Sequence, residues 1–405
     1  MDTLITGIVP KCDPHNFTST SAGQDDRMIE TTTERRVPFG FFGTHIDRYT
    51  TMSVGTMDRE FALMSECGVE RLRVTFLWNQ IQMWYAPRYH GVIHTVTDFL
   101  RSDAIVGAAA RAGLEMVGTV WGAPPWATGG LRPGESSRFA FTAFGGVPEH
   151  SEDIGNFMGD LIERYGPNGT FWAENPGIPA RPIRIWQPWQ EPDRPAFMPQ
   201  PFDVGYFVEM AHVCYKAVKS VDPGAMVLGT GIGPAAADSK DLLDSIYRAG
   251  YKGAADAIGL HVFPRNAEAM LDAIRMNREV MADHGDGNLP IVMSQISYSS
   301  ALGKSRIEPP NPNMYDEAGQ AAQIRETLAA LAEHREELNI FGAYYHGWSG
   351  LDEEPPAPRA PDPWIFTGLR KVTKDGTMIS KPALDAYRDV VLALEGKDSR
   401  ILSGR

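Results

Sequence analysis

Cysteine is nearly absent from the 405 residues: Cys12, Cys67 and Cys214 are the only three. They are odd in number and far apart, so they offer neither a disulfide framework nor the spacing of a thiolate metal site. Long apolar runs are missing as well. No stretch reaches the roughly 18 residues that a membrane helix needs. The first residues, MDTLITGIVPKCDPHNF, lack the basic and apolar regions of a secretory leader. Positive charge is in deficit, with 38 Lys and Arg against 51 Asp and Glu and a net charge of −13. Nucleic-acid binding rests on neutralising phosphates, so neither nucleic acid nor an anionic membrane is an expected partner. Phosphate loops are also lacking: there is no G-x-G-x-x-G and no P-loop. Together these absences give the expectation of a cytoplasmic chain with reduced thiols and no cofactor. Export by a non-standard route stays open. Neutral polymers remain as a partner class, and the oligomeric state is unspecified.

What is present is ordinary globular composition, 43% apolar and 22% charged. Residues 1–37 are rich in Thr, Ser, Asp and Glu and read as a tail or strap. From Phe39 onward, short apolar runs alternate with longer amphipathic ones. Eight runs read as buried strands: 39–46, 71–78, 114–121, 183–190, 226–230, 256–263, 290–296 and 340–347. Helix-like segments separate them, such as VGTMDREFALMSECG and KPALDAYRDVVLALEG, and several end in Gly. Eight strands, each followed by a helix, predict a single (β/α)8 TIM barrel over residues 38–396, with 397–405 as a C-terminal tail. An open doubly wound sheet is second, and the missing phosphate loop counts against it.

Barrel chemistry sits at the C-terminal strand ends. Those ends carry His45, Trp78, Trp121, Gln190, Glu191, His261, Gln295, His346 and Trp348. The densest signal is Trp186-Gln187-Pro188-Trp189-Gln190-Glu191-Pro192-Asp193 at the fourth strand's end. A carboxyl framed by Trp and Pro in a partly desolvated mouth has its pKa raised toward that of a general acid. Trp172, Trp186 and Trp189 read as buried, while Trp78, Trp84, Trp121, Trp126, Trp348 and Trp364 are candidates for a wet, sugar-stacking cleft. His45, His261 and His346 share the rim, but their spacing carries no metal motif, so no metal is expected.

The WQEP segment resembles the W-x-x-W-N-E-P segment of retaining clan A glycoside hydrolases, and the flavour is closest to families 39 and 5. The resemblance runs over about residues 38–395. It implies a (β/α)8 barrel acting on a carbohydrate without a metal. Glu191 matches the acid/base after strand 4. Arg73 matches the strand-2 Arg, His261 the strand-6 His, and Trp348 the strand-8 sugar platform. PIVMSQISYSS matches the strand-7 segment that carries the nucleophile. With them, Gln190, Trp121, Tyr298 and His45 are expected to bind substrate.

Three positions depart from that pattern. Gln190 replaces the usual Asn before the acid/base, Phe263 stands where a Tyr bonds the nucleophile, and Gln295 stands where the nucleophilic Glu belongs. A neutral amide is a very poor nucleophile. Either the Glu was replaced by design or the departure is native; three changes in one site favour the second. Two other readings remain open: a barrel that binds a glycan without cleaving it, and an inverting hydrolase whose base is Asp47, Glu135 or a member of the Asp352-Glu353-Glu354 run.

Overall fold

Parallel barrel strands are largely apolar on both faces, because helices cover the outside and other strands fill the inside. The computed structural model describes residues 34–46, 52–84, 95–128, 146–198, 201–229, 231–233, 236–305, 313–350 and 363–397. Among them, eight parallel strands run in chain order as β1 (Phe42–His45), β2 (Arg71–Leu77), β3 (Glu115–Trp121), β4 (Ile185–Pro188), β5 (Met226–Val227), β6 (Ile258–Val262), β7 (Ile291–Ile296) and β8 (Ile340–His346). Each pairs with its neighbours in sequence, and β8 pairs with β1. Parallel bridges Leu228↔Ala257 and Ile232↔Leu260 join the β5 and β6 sides and close the ring. The expected (β/α)8 barrel is the observed fold.

The eight main helices follow the eight strands: α1 (Val54–Glu66), α2 (Leu100–Arg111), α3 (Ser151–Tyr165), α4 (Val204–Val221), α5 (Ala236–Arg248), α6 (Ala267–Asp283), α7 (Glu317–Glu333) and α8 (Pro382–Leu394). Their starts are written locally. Ser53, Asp203, Asn266 and Asp316 each accept a backbone N–H of the first turn, as N-caps do. In α8 a Pro occupies the first turn, where its missing N–H costs nothing.

Side chains two apart on a strand share a face. Val117, Ile185, Leu228, Ala257, Val292 and Tyr344 form an apolar cluster separate from the helix-packing core, and we assign it to the barrel interior. Two residues further on, the same strand faces carry Thr119, Gln187, Gly259, Ser294 and His346. The interior thus changes from apolar to polar within one layer on the way to the C-terminal mouth.

At the barrel's other end, Arg35 pairs with Glu70, and the Arg36 N–H donates to Leu394 O. Past β8, a small sheet of Ser349–Gly350, Arg370–Val372 and Met378–Ser380 is tied to α1. Trp348 Nε1 donates to Glu60 Oε2 at 2.8 Å, and Arg370 Nη1 donates to the same carboxylate.

Glu60 and Arg370 are both buried, and removing one partner of a buried ion pair strands the other charge. Glu60→Gln is therefore expected to lower stability by about 3–5 kcal/mol, read as a fall in the urea midpoint. An unchanged midpoint would show that the small sheet does not depend on this pair.

Candidate active site

The chain bends sharply as it leaves β4. Trp189 (φ 66°) and Glu191 (φ 42°) both lie in the left-handed region, which non-glycine residues rarely adopt. Such backbone costs about 1–3 kcal/mol per residue and tends to gather where function requires it. The bend is held by main-chain bonds to the flanking strands: Trp189 N–H donates to Val120 O at 2.7 Å, and Glu191 N–H to Gly231 O at 2.9 Å. Trp186 and Trp189 are fully buried beneath it, as expected, and the Glu191 side chain is left 15% exposed at the mouth.

Glu191 Oε1 lies 2.6 Å from His261 Nδ1. Burial raises the carboxyl pKa, and His346, Arg194 and Arg73 partly oppose that rise. Burial, Arg73 and His346 together push the His261 imidazole well below its usual 6.5. Both shifts run toward the neutral forms, a carboxylic acid and a neutral imidazole. Among the described residues His261 Nε2 has no partner, because Gly231 is packed so closely that a Cβ there would sit 2.0 Å from it. A buried N–H without an acceptor is rarer than a bare lone pair, so we assign the imidazole proton to Nδ1. Glu191 Oε1 then accepts, and the acidic proton is carried by Oε2.

Arg73 is fully buried at the back of the mouth. Its Nε donates to Gln187 Oε1 at 2.9 Å and its Nη2 to Gln190 Oε1 at 2.8 Å. Thr119 also donates to Gln187 Oε1, and Gln187 Nε2 donates to Gly229 O. Across the ring, His45 Nδ1 and His346 Nδ1 are 2.9 Å apart, and His45 Nε2 is 3.3 Å from the Thr75 hydroxyl. At that distance one ring nitrogen donates and the other accepts.

Gln295 is brought to this group by an irregularity. Leu260 pairs with Met293, but the next residue, His261, pairs with Gln295, so Ser294 is the extra residue on β7. A bulge of this kind re-aims a side chain beside a functional site. It sets Gln295, 4% exposed, opposite the histidine that holds Glu191.

No family model matches the chain, and no curated protein matches it. Solved structures do. A family 39 glycoside hydrolase from the gut symbiont Bacteroides cellulosilyticus WH2 superposes with a TM-score of 0.59 at 15% identity, over 89% of this chain and 64% of that one. A glucosidase from Croceicoccus marinus gives 0.58 at 14% identity, over 90% and 69%. An endo-β-1,4-mannanase from Thermotoga petrophila gives 0.52 at 15%, over 89% and 78%. The chain spans less than two thirds of the first neighbour's length. The fold is the (β/α)8 barrel of these glycoside hydrolases. The neighbours fall in the clan A group that the WQEP segment resembles, and at these identities the likeness is one of fold.

Within this fold the structure groups Arg73, Gln190, Glu191, His261 and Gln295 at one mouth, with His45 on its floor. Trp121, at the end of β3, is 6% exposed and meets Phe197 edge to face at 4.8 Å. Two expected contacts are corrected. Trp348 has no exposed ring face to offer a sugar, because Gly347 (φ 101°) turns the chain and the indole is buried against Glu60 of α1. Tyr298 is buried, and its hydroxyl bonds Thr327 on α7, away from the mouth. Trp78 is likewise internal, stacked on Phe157. Asp47, Glu135, Asp352, Glu353 and Glu354 lie outside the described residues. Gln187, Thr119 and Thr75 were not anticipated. The step of two along each strand, from Val117 to Thr119 and from Ile185 to Gln187, is the signal that would have found the first two.

The protonation states predict a pH signature. As pH rises above 4.5, the unfolded chain releases a proton that folded Glu191 keeps, so folding weakens up to the raised pKa. As pH falls through 6.5, the unfolded imidazole takes a proton that folded His261 refuses, and folding weakens there too. Glu191→Gln should remove the first effect only. Its urea midpoint relative to the wild type is expected to rise with pH above 4.5. A difference independent of pH would contradict the raised carboxyl pKa.

Proposed function

We propose that the protein is a glycoside hydrolase that cleaves O-glycosidic bonds in an oligo- or polysaccharide, with Glu191 as general acid. The observation that carries this reading is the Glu191 carboxyl itself, raised in pKa by burial and oriented by a neutral His261 at 2.6 Å. A carboxyl that burial makes more reluctant to ionise suits delivery of a proton to a leaving glycosidic oxygen. Arg73 and Gln190 orient the substrate side of the mouth, with Trp121 and His45 bordering it. Known glucosidases and mannanases share the fold, which supports a carbohydrate substrate without naming it. No helix among the described residues is long and apolar enough to cross a membrane.

Gln295 favours a second reading, a barrel that holds a glycan without turnover. A broad panel of oligosaccharides and aryl glycosides separates the two, run with the chain, Glu191→Gln and Gln295→Glu. The expected result is sugar release by the chain and a loss of about 10²–10⁴-fold in Glu191→Gln, largest for leaving groups that need protonation. Release by Gln295→Glu alone would keep Glu191 as the acid of a barrel that lacks its nucleophile. Binding without release by any of the three proteins would overturn the hydrolase reading.

A further inference from the structure

A retaining glycosidase needs a second carboxylate about 5–5.5 Å from the acid. Here the β7 residue that the resemblance gives to that role is Gln295, an amide. Every charged group that shifts Glu191 is basic: His346, Arg194 and Arg73. A carboxylate at nucleophile distance would push the acid the other way, and none of the described ones does. Among the described residues the acid has no carboxylate partner to act as nucleophile.

What stands in its place is specific. Gln295 is paired with His261 across the β7 bulge, so its backbone lies about one strand spacing of 4.8 Å from the residue that holds the acid. Nearby, Phe263 at the end of β6 meets Trp364 edge to face at 4.5 Å, and its ring lies 6.3 Å from His346. A primary amide pairs with another amide through one donor and one acceptor. An aromatic wall accepts a methyl group. One common sugar substituent carries both features, the acetamido group.

We propose that this mouth takes β-linked 2-acetamido-2-deoxy glycosides, and that the acetamido oxygen of the substrate is the nucleophile, held by Gln295. The inference rests on Glu191 being a glycosidase acid. In the first step the acetamido carbonyl oxygen forms a bond to C1 as the C1–O bond to the leaving group breaks. Glu191 gives its proton to the departing oxygen, and the ring-closed oxazolinium ion keeps its N–H on Gln295 Oε1. In the second step Glu191, now a carboxylate, takes a proton from water. That water's oxygen bonds to C1, the C1–O bond of the oxazolinium breaks, and the acetamide is restored. The sum is hydrolysis with retention, and no co-reactant is needed. An attached nucleophile has an effective concentration that a free one cannot match. Gln295 has no anion to supply, so an amide serves where a carboxylate was lost. Phe263 fits the same account, since without an anionic nucleophile there is nothing for a Tyr hydroxyl to hold.

The test uses the unmodified chain and three 4-nitrophenyl β-glycosides of glucosamine, N-acetylated, N-difluoroacetylated and N-trifluoroacetylated, beside the 2-hydroxy β-glucoside. Fluorine withdraws electrons from the attacking oxygen, so kcat/KM is expected to fall by about tenfold or more across the series. The 2-hydroxy glycoside should be far slower, and a thiazoline analogue of the closed ring should bind about a hundredfold tighter than N-acetylglucosamine. Equal rates across the series, or faster cleavage of the 2-hydroxy glycoside, would overturn this inference and leave the hydrolase reading standing. Failure to cleave these compounds or any glycan of the broader panel would remove both. Gln295→Ala is expected to lower kcat/KM on the acetylated substrate by about tenfold or more, with the alkaline limb of the pH profile still set by Glu191. An unchanged rate would remove Gln295 from the proposal.

Discussion

The 2.6 Å contact between Glu191 Oε1 and His261 Nδ1 is the interaction on which the rest of the mouth depends. It joins the ends of two non-adjacent strands, β4 and β6, across β5. A buried ion pair there would carry a heavy desolvation penalty. Two neutral groups avoid it, and burial of both favours the neutral forms. Burial disfavours the carboxylate, while burial with Arg73 and His346 disfavours the imidazolium. The close approach of Gly231 also excludes a partner from Nε2, which selects one tautomer and so one direction for the acidic proton. A side chain at position 231 would break this arrangement from behind without touching any substrate.

Parallel geometry explains how distant residues reach this one contact. In a barrel with side chains repeating every two residues, an inward face persists along each strand. The apolar plug gives way one step later to Thr119, Gln187 and Ser294, and one step beyond that to His261. Arg73 crosses the layers: its guanidinium satisfies both Gln187 and Gln190 and so fixes the segment from which Glu191 emerges. The strained backbone at Trp189 and Glu191 is tolerable because buried indoles and cross-strand bonds hold it on three sides.

Much of this arrangement is legible in the amino-acid sequence, and the reason is local. Strand runs, caps and terminal glycines are written in neighbouring residues, so the eight βα units can be counted and the strand-end residues named. Gln190, Glu191, His261 and Gln295 sit on or just past those ends, and counting units is enough to assemble them; Arg73, third in β2, joins them only through its long side chain. Trp348 and Tyr298 lie just past strand ends, where direction depends on a turn. Gly347 sends Trp348 toward Glu60, a residue 288 positions away in sequence, and no local pattern reports a partner at that separation. The β7 bulge is hidden for a similar reason. It exists only relative to β6 and β8, so the sequence places Gln295 on its strand but not opposite His261.

Gln295 also changes the acid's electrostatics. In a site with two carboxylates, repulsion from the charged one helps to keep the other protonated. That help is absent beside an amide, and His346, Arg194 and Arg73 all pull Glu191 toward ionisation. Desolvation must then hold the proton alone, which makes the acid sensitive to how much water the mouth admits. A ligand that fills the mouth would expel water and raise the pKa further, so the carboxyl would be most fully protonated when the mouth is filled. A neutral residue at position 295 thus shifts the task of poising the acid from a neighbouring charge to the ligand itself.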